Sequence, residues 1–143
     1  MSEGTMKIDE VSKRSGLSKR TIRYYEEIGI IPETLRSDGG FRLYTIKHID
    51  RLKRITMAKD VLGLSLKELQ EFLGLEDELE NQRAEYRKVD DPKKRKEKLA
   101  DILKTADKQI TIIDQKIENI HSIKADLLDY KKRASKLMDE ITD

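Results

Sequence analysis

The sequence predicts a mainly α-helical protein, in which a small N-terminal helix-turn-helix domain with a β-hairpin precedes one long C-terminal helix. Two observations lead to this fold class. A short basic helix and a turn-rich basic hairpin occupy residues 18–44, and an apolar heptad pattern runs without glycine or proline from residue 93 to 143. The basic helix and hairpin suit binding to a nucleic-acid duplex, and the heptad pattern is typical of a coiled coil.

The composition favours a small globular part that carries a long solvated helix. Charged residues make up 41% of the 143 residues and hydrophobic residues only 36%, which is lean for one compact core. The net charge is only +2, yet residues 13–59 hold 12 Lys and Arg against 5 Asp and Glu. This local excess predicts a surface that binds a polyanion.

Several other classes of function are not expected. The chain has no cysteine, which excludes a disulfide framework, a thiolate metal site and a thiol redox sensor. His48 and His121 have no second ligand at metal spacing, so no metal or other cofactor is predicted. No nucleophile–base set or phosphate loop indicates an enzyme. No apolar run resembles a signal peptide or a membrane span, so a cytoplasmic protein without membrane partners is expected.

The N-terminal part contains two short predicted helices. After a disordered leader at 1–6, a helix at 8–14 is expected, with Asp9 as its cap and Gly16 at its end. Ser18 is a good cap for the second helix, which Gly29 and Pro32 terminate. Two such helices joined through glycine form a helix-turn-helix, whose second helix presents its first residues to base edges. The predicted DNA-facing residues of this helix are Ser18, Lys19, Arg20, Thr21, Arg23 and Tyr24, while Ile22 and Tyr25 face inward.

A hairpin and two further helices complete the predicted domain. A turn cluster at 37–40 lies between Arg36 and the segment FRLY at 41–44. Thr45 is expected to cap a helix that ends at Gly63, and Ser65 with Glu68 fits the capping box of a short helix. The apolar face of the first of these helices is assigned to Ile46, Ile49, Leu52, Ile55 and Met57 or Ala58. Near Leu75 the pattern changes, which divides the chain into a domain at 6–75 and a charged connector at 76–91.

The C-terminal region predicts one uninterrupted helix at 92–141, about 75 Å long, with Asp91 as cap and Pro92 at its first position. Its heptad positions recur at alternating steps of three and four, and only the positions at Gln109 and Lys116 are polar. The apolar residues at the other positions are Leu99, Ile102, Ala106, Ile113, Ile120, Ile123, Leu127, Tyr130, Ala134, Leu137 and Ile141. A partner helix is expected to cover this stripe, because packing against the chain's own N-terminal domain would leave much of so long a stripe uncovered.

Six segments of the N-terminal half carry a family resemblance. They read KIDEV at 7–11, GLS at 16–18, TIRYYE at 21–26, GIIP at 29–32, GFRLY at 40–44 and LGLSLKEL at 62–69. In this continuous order, over roughly residues 6–75, they resemble the MerR family of bacterial transcription regulators. The resemblance implies a winged helix-turn-helix homodimer, joined by an antiparallel coiled coil, on a palindromic operator. Such members often act at promoters with overlong hexamer spacing by bending and untwisting the DNA, together with RNA polymerase.

The resemblance also assigns individual residues. Thr21, Arg23 and Tyr24 match recognition-helix positions that contact bases or phosphates, and Arg42 and Tyr44 match the first wing. Lys59 falls in the second-wing region, where basic residues meet the DNA backbone. With the residues chosen for charge and position, the predicted contacts to double-stranded DNA are Ser18, Lys19, Arg20, Thr21, Arg23, Tyr24, Arg36, Arg42, Tyr44 and Lys59. Ser12 departs from the alanine usual in the family, which is expected to be tolerated.

The larger departure from the family concerns sensing. Metal- and thiol-responsive members use cysteines near the dimer helix, and others carry a drug-binding domain after it, whereas this sequence has no cysteine and ends with the helix. Switching is therefore expected from a ligand held between the long helix and the DNA-binding domain, from another protein, or from abundance alone. A pocket is predicted where Phe72 and Leu75 approach Tyr130 of the partner.

An alternative function is a structural or adaptor protein, whose coiled coil recruits a partner and whose winged domain binds DNA without controlling a promoter. A recombination-directionality factor is a variant of this alternative. A binding site between the two hexamers of a promoter would favour the regulator.

Overall fold

The computed structural model describes residues 4–141, in which five helices and two short strands follow one another. They are α1 (Ile8–Ser15), α2 (Lys19–Glu27), β1 (Leu35–Arg36), β2 (Arg42–Leu43), α3 (Ile46–Leu62), α4 (Leu66–Arg87) and α5 (Pro92–Glu140). The chain divides into two compact units between Gly74 and Leu75. The mainly α-helical fold class, with its helix-turn-helix, hairpin and long C-terminal helix, is confirmed.

Local sequence signals set most helix ends. Ser18 Oγ accepts a hydrogen bond from the Thr21 N–H at 3.1 Å and so caps α2. Ser65 and Glu68 form the predicted capping box, in which each backbone N–H donates to the other residue's side chain, at 3.0 and 3.2 Å. Asp91 Oδ2 accepts from the Lys94 N–H at 3.4 Å at the start of α5.

The prediction for the first cap is wrong. Lys7 is the N-cap residue of α1 and makes no side-chain capping bond, while Asp9 lies within the first turn. The carboxylate of Asp9 instead forms an ion pair with Lys19 of α2. The Asp9 carboxylate, which the local sequence assigned to capping, therefore pairs with a residue of another helix.

The core of the first unit is apolar and draws on all four of its helices and on the segments between them. Its buried members are Val11, Ile22, Tyr25, Ile30, Ile31, Tyr44, Ile49, Leu52, Ile55, Ala58, Leu64, Leu69 and Leu73. Between the two predicted alternatives Met57 and Ala58, the structure buries Ala58 and leaves Met57 65% exposed. Ile46 was assigned to the apolar face but is 54% exposed, because it is the first residue of α3.

The two strands form an antiparallel hairpin, here called the wing and comprising residues 35–43, with Leu35 opposite Leu43. Its turn is closed by a hydrogen bond from the Ser37 N–H to the Phe41 carbonyl at 2.8 Å. Met6 extends the pairing through an antiparallel bridge to Tyr44, with two hydrogen bonds of 2.8 Å. Met6 is thus part of the fold and not of the predicted leader at 1–6; residues 1–3 lie outside the described part of the chain.

Helix α4 runs without a break through the predicted boundary at Leu75. The predicted short helix and most of the charged connector at 76–91 are therefore one helix of 22 residues. No proline interrupts it, and Gly74 is tolerated within the helix. In the second unit, the end of α4 contacts the start of α5 through an ion pair of 3.1 Å between Glu85 and Lys98. Arg95 adds a hydrogen bond to the Val89 carbonyl at 2.6 Å.

The 49-residue α5 has two regions of different exposure. In its first part Thr105 is buried, and the predicted dimerisation residues Ile102, Ala106 and Ile113 are half-buried within the chain. From residue 117 to 141 every side chain is exposed. Six of the predicted dimerisation residues along α5 are exposed, namely Leu99, Ile120, Ile123, Leu127, Tyr130 and Leu137. Over residues 4–141, no helix is long and apolar enough to cross a membrane.

Candidate nucleic-acid interface

The outer face of α2 presents polar and cationic side chains. Arg20, Arg23 and Tyr24 are exposed there, and Tyr24 retains 45% of its accessible surface. Thr21 Oγ1 lies 2.8 Å from Ser18 Oγ, so the capping residue also orients the hydroxyl of Thr21, a predicted base-facing residue. Because Ser18 starts the helix here, the free N–H groups of its first turn lie on the same end as these side chains.

A crevice of about 410 Å³ lies between the start of α2 and the wing. Its lining residues are Lys7, Ile8, Asp9, Lys19, Arg23, Arg36, Gly40, Phe41 and Arg42. Five of these side chains are cationic and one is acidic, so the crevice has a strong positive charge. Such a groove attracts the phosphates of a nucleic acid, which supply most of the affinity of DNA-binding proteins.

The one carboxylate of the crevice is already paired. The hydrogen bond from Lys19 and the positive charge of Lys19 lower the pKa of the exposed Asp9 carboxyl below its ordinary value of 3.8. Asp9 is therefore ionised near neutral pH and offsets the charge of Lys19. Lys7, Arg23 and Arg36 remain as cations around the opening, although Arg36 Nη1 also donates to the Gly40 carbonyl at 3.0 Å.

Lys7 and Phe41 are members of the crevice that the sequence did not identify as DNA-binding residues. Lys7 Nζ lies 4.7 Å from the centre of the Phe41 ring, within the range of a cation–π contact. The Phe41 ring is exposed on the wing. An exposed aromatic residue within a basic hairpin is the signal that indicates Phe41, whereas Lys7 is brought here by the Met6–Tyr44 bridge.

A carboxylate of α2 holds the base of the wing. Glu26 Oε1 accepts from Thr34 Oγ1 at 2.9 Å, and Glu26 Oε2 lies 3.1 Å from Arg42 Nε in an ion pair. The Tyr44 hydroxyl donates to Glu26 Oε2 at 3.3 Å. Burial, and secondarily the negative charge of Glu26, raises the pKa of Tyr44 to about 12.

This arrangement corrects one predicted DNA contact. Tyr44 is completely buried, and its hydroxyl is bonded to Glu26, so it has no surface to offer a duplex. Its place in the wing segment made it a candidate, but the bridge to Met6 turns its ring into the core. Lys59 is exposed in the last turn of α3 and does not line the crevice. The crevice does bring together Lys19, Arg23, Arg36 and Arg42.

Known proteins match both the domain and the whole chain. Residues 6–75 match the family described as MerR HTH family regulatory protein. The chain is 47% identical over 136 residues to the HTH-type transcriptional regulator YfmP of Bacillus subtilis, covering 95% of this chain and 97% of that one. The chain belongs to the MerR family. As a MerR family member it is a DNA-binding transcriptional regulator and not an enzyme.

Two further relatives show how far the MerR likeness extends along the chain. The mercuric resistance operon regulatory protein of Bacillus cereus is 36% identical over 127 residues, covering 89% of this chain and 83% of that protein. A crystal structure described as a MerR family transcriptional regulator from Listeria monocytogenes superposes with a TM-score of 0.56 at 26% identity. The aligned region covers 94% of this chain and 95% of the Listeria monocytogenes chain. The MerR likeness thus includes α5 as well as the crevice-bearing domain.

Proposed function

We propose that this MerR regulator binds a palindromic operator within a promoter as a homodimer and controls transcription by distorting the DNA. The cationic crevice between α2 and the wing is the observation that carries the proposal. The geometry suits a duplex whose major groove receives the start of α2, with Arg20 and Thr21 toward the bases and Arg23 toward a phosphate at the crevice. The wing then meets neighbouring phosphates through Arg36 and Arg42.

The exposed apolar stripe of α5 supports the homodimer. A helix end whose Ile123, Leu127 and Tyr130 are all exposed needs another surface, and an antiparallel pair of identical helices covers both stripes at once. A two-fold symmetric dimer presents two copies of α2 to two half-sites, so its operator is expected to be palindromic.

The proposed mode of action is mechanical. Two DNA-binding domains fixed to one dimer can bend and untwist the duplex between their half-sites, at an elastic cost that the added contacts offset. In a promoter with overlong spacing, this change brings the two hexamers into register for RNA polymerase, the proposed partner. A regulator that acts on promoter DNA in this way is expected to work in the cytoplasm.

The proposed signal differs from that of thiol-dependent regulators. The Bacillus cereus relative is named for a mercuric resistance operon, but the present chain has no cysteine to bind mercury as a thiolate ligand. The effector pocket at Phe72, Leu75 and Tyr130 of a second copy stays a prediction. Within one chain, Phe72 and Leu75 are half-buried and Tyr130 is exposed.

Fluorescence anisotropy with the DNA upstream of the protein's own gene tests the proposal. Tight binding to one palindrome, a stoichiometry of two chains per site, and a smaller end-to-end distance by fluorescence energy transfer are the expected results. A matched duplex with one scrambled half-site is the control and should lose most of the affinity. Equal binding to both duplexes would overturn the operator proposal and favour the structural or adaptor protein.

A further inference from the structure

The Glu26 side chain of α2 contacts three residues at the base of the wing. Thr34 precedes β1, Arg42 belongs to β2, and Tyr44 follows β2 directly. One carboxylate on the recognition helix therefore contacts the chain on both sides of the hairpin. A wing of two two-residue strands has few hydrogen bonds of its own, so such an external attachment matters for its position.

The surroundings of this carboxylate strengthen its contacts. The Glu26 side chain is 14% exposed and the Arg42 side chain 28% exposed, whereas both partners are more exposed in the ion pairs Glu10–Arg14, Glu80–Arg83 and Glu85–Lys98. Partial exclusion of water reduces screening, and hydrogen bonds to an ionised acceptor are stronger than neutral ones. Arg42 also lines the crevice, so the contact of Glu26 reaches the surface that faces DNA.

We propose that Glu26 is a positioning residue for DNA binding, which fixes the wing at a set distance from α2 without contacting the duplex itself. This inference rests on the proposed function, because it assumes that α2 and the wing bind one duplex together. Held in place, the two elements meet the groove and the phosphates without first losing conformational freedom. When the wing is released from Glu26, only the molecules whose wing lies in its bound position can bind the operator fully.

The change of operator affinity predicted for Glu26→Gln is opposite to the change expected from net charge alone. Replacing a carboxylate by an amide makes a DNA-binding protein more positive and ordinarily strengthens its binding to any duplex. Glu26→Gln removes the ion pair to Arg42, so it should weaken operator binding in spite of the added positive charge. If both wings lie in their bound position in about a tenth of the dimers, operator affinity falls about tenfold.

Glu27→Gln is the matched control, because Glu27 is the next residue of α2 and is exposed. It changes the net charge equally and leaves the wing contacts intact. Operator affinity and affinity for a random duplex of equal length should be measured for both variants at one salt concentration. The expected result is a lower ratio of operator to random affinity for Glu26→Gln, and an unchanged ratio with equal or tighter binding for Glu27→Gln. Equal ratios for the two variants would overturn the proposal.

A second variant separates positioning from folding. Thr34→Val removes one hydrogen bond to Glu26 with little change of volume and no change of charge, so the domain should fold. Its ratio of operator to random affinity is expected to fall roughly two- to fivefold, less than in Glu26→Gln, because the contacts of Glu26 with Arg42 and Tyr44 remain. An unchanged ratio in Thr34→Val together with a circular dichroism spectrum showing an unfolded Glu26→Gln would reduce Glu26 to a structural residue and refute the proposal.

Hydrogen exchange of the free protein gives a readout that does not need DNA. In Glu26→Gln, the Ser37 amide, which bonds to the Phe41 carbonyl, should exchange at least several times faster than in the wild type. The Ile22 amide within α2 should keep its rate. Wing amides that exchange at the wild-type rate would contradict the role of Glu26. If the wild type fails to select any operator, the proposed function fails, while this exchange result still decides whether Glu26 holds the wing.

Discussion

His48 Nε2 lies 3.1 Å from the carbonyl oxygen of Pro32, which joins the first turn of α3 to the segment that follows the recognition helix. The other ring nitrogen, Nδ1, accepts from the Thr45 N–H at 3.0 Å. These partners assign the proton to Nε2, because Nδ1 must accept and the carbonyl can only accept. The buried imidazole is thus both a helix cap and a tertiary link, and Arg51 adds a bond to the Ile30 carbonyl at 2.9 Å nearby.

Replacing His48 by alanine should destabilise the domain by about 3 kcal/mol. The change leaves the Thr45 N–H and the Pro32 carbonyl without their bonds to the ring and removes a buried ring beside Tyr44. Urea unfolding followed by circular dichroism measures the loss. Lys47→Ala, at the adjacent exposed position, should change the free energy of unfolding by less than about 0.5 kcal/mol. Equal effects of the two changes would contradict the linking role of His48.

Stability should fall as the pH rises from 10 toward 12. The folded pKa of Tyr44 is about 12 against an ordinary value of 10.0, so the unfolded chain releases this proton first and is favoured in that window. The stabilising contribution is fully present below about pH 10 and is lost as the pH rises through 12, and it amounts to roughly 2–3 kcal/mol. Urea unfolding of the wild type at several alkaline pH values measures this decline.

Tyr44→Phe is the control for the alkaline decline. The variant should lose about 1–2 kcal/mol at pH 7, because the hydrogen bond to Glu26 disappears. Its stability should then fall less steeply than that of the wild type above pH 10, since phenylalanine has no proton to release. Parallel curves for the two proteins would show that Tyr44 does not cause the decline.

Arg23→Gln should weaken binding to DNA and reduce its salt dependence. Arg23 lines the crevice, and each phosphate neutralised by a cation contributes a slope of about 0.9 to the plot of log affinity against log salt. The proposed dimer carries two copies of Arg23, so anisotropy titrations at several salt concentrations should give a slope smaller by about 1.8. Lys104→Gln on α5 removes the same charge outside the crevice and should keep the slope. A wild-type slope for Arg23→Gln would exclude a phosphate contact by this residue.

Leu127→Lys should convert the proposed dimer into monomers at micromolar concentrations. Leu127 is exposed in the single chain, and a lysine at the centre of an apolar helix pair would bury an unpaired charge. Sedimentation velocity measures the mass of the assembled species. Asp126→Lys places the same residue one position away, off the heptad stripe, and should remain dimeric. If the Leu127→Lys variant remained dimeric, the chains would associate through another surface.

The local part of the fold could be predicted from the sequence because its signals lie within a few residues of one another. Ser18, Ser65 and Asp91 each bond to a backbone N–H three residues ahead, and such bonds follow from residue type and spacing. The apolar spacing of Ile22 and Tyr25 likewise predicts their burial. The crevice cations Arg23, Arg36 and Arg42 were predicted from charge and family resemblance.

The tertiary part could not be predicted in the same way. Asp9 has the chemistry of a cap, but Lys19, ten residues later, pairs with it. Tyr44 lies in a basic hairpin, but its bridge to Met6 and its bond to Glu26 place it inside. Helix α4 continues through Leu75 because its charged second half contains no helix breaker, but the weak apolar pattern of that half does not indicate a helix.

Because the C-terminal part of α5 is exposed in a single chain, the stability of this part of the helix should depend on protein concentration. From residue 117 to 141 a lone chain stabilises the helix only through backbone hydrogen bonds and local side-chain pairs, such as Arg133 with Asp129 at 3.1 Å. Isolated helices of this kind fray in water. In the proposed homodimer, dilution should therefore melt the distal segment before the N-terminal core, so that completion of the α5 fold would follow the concentration of the chain.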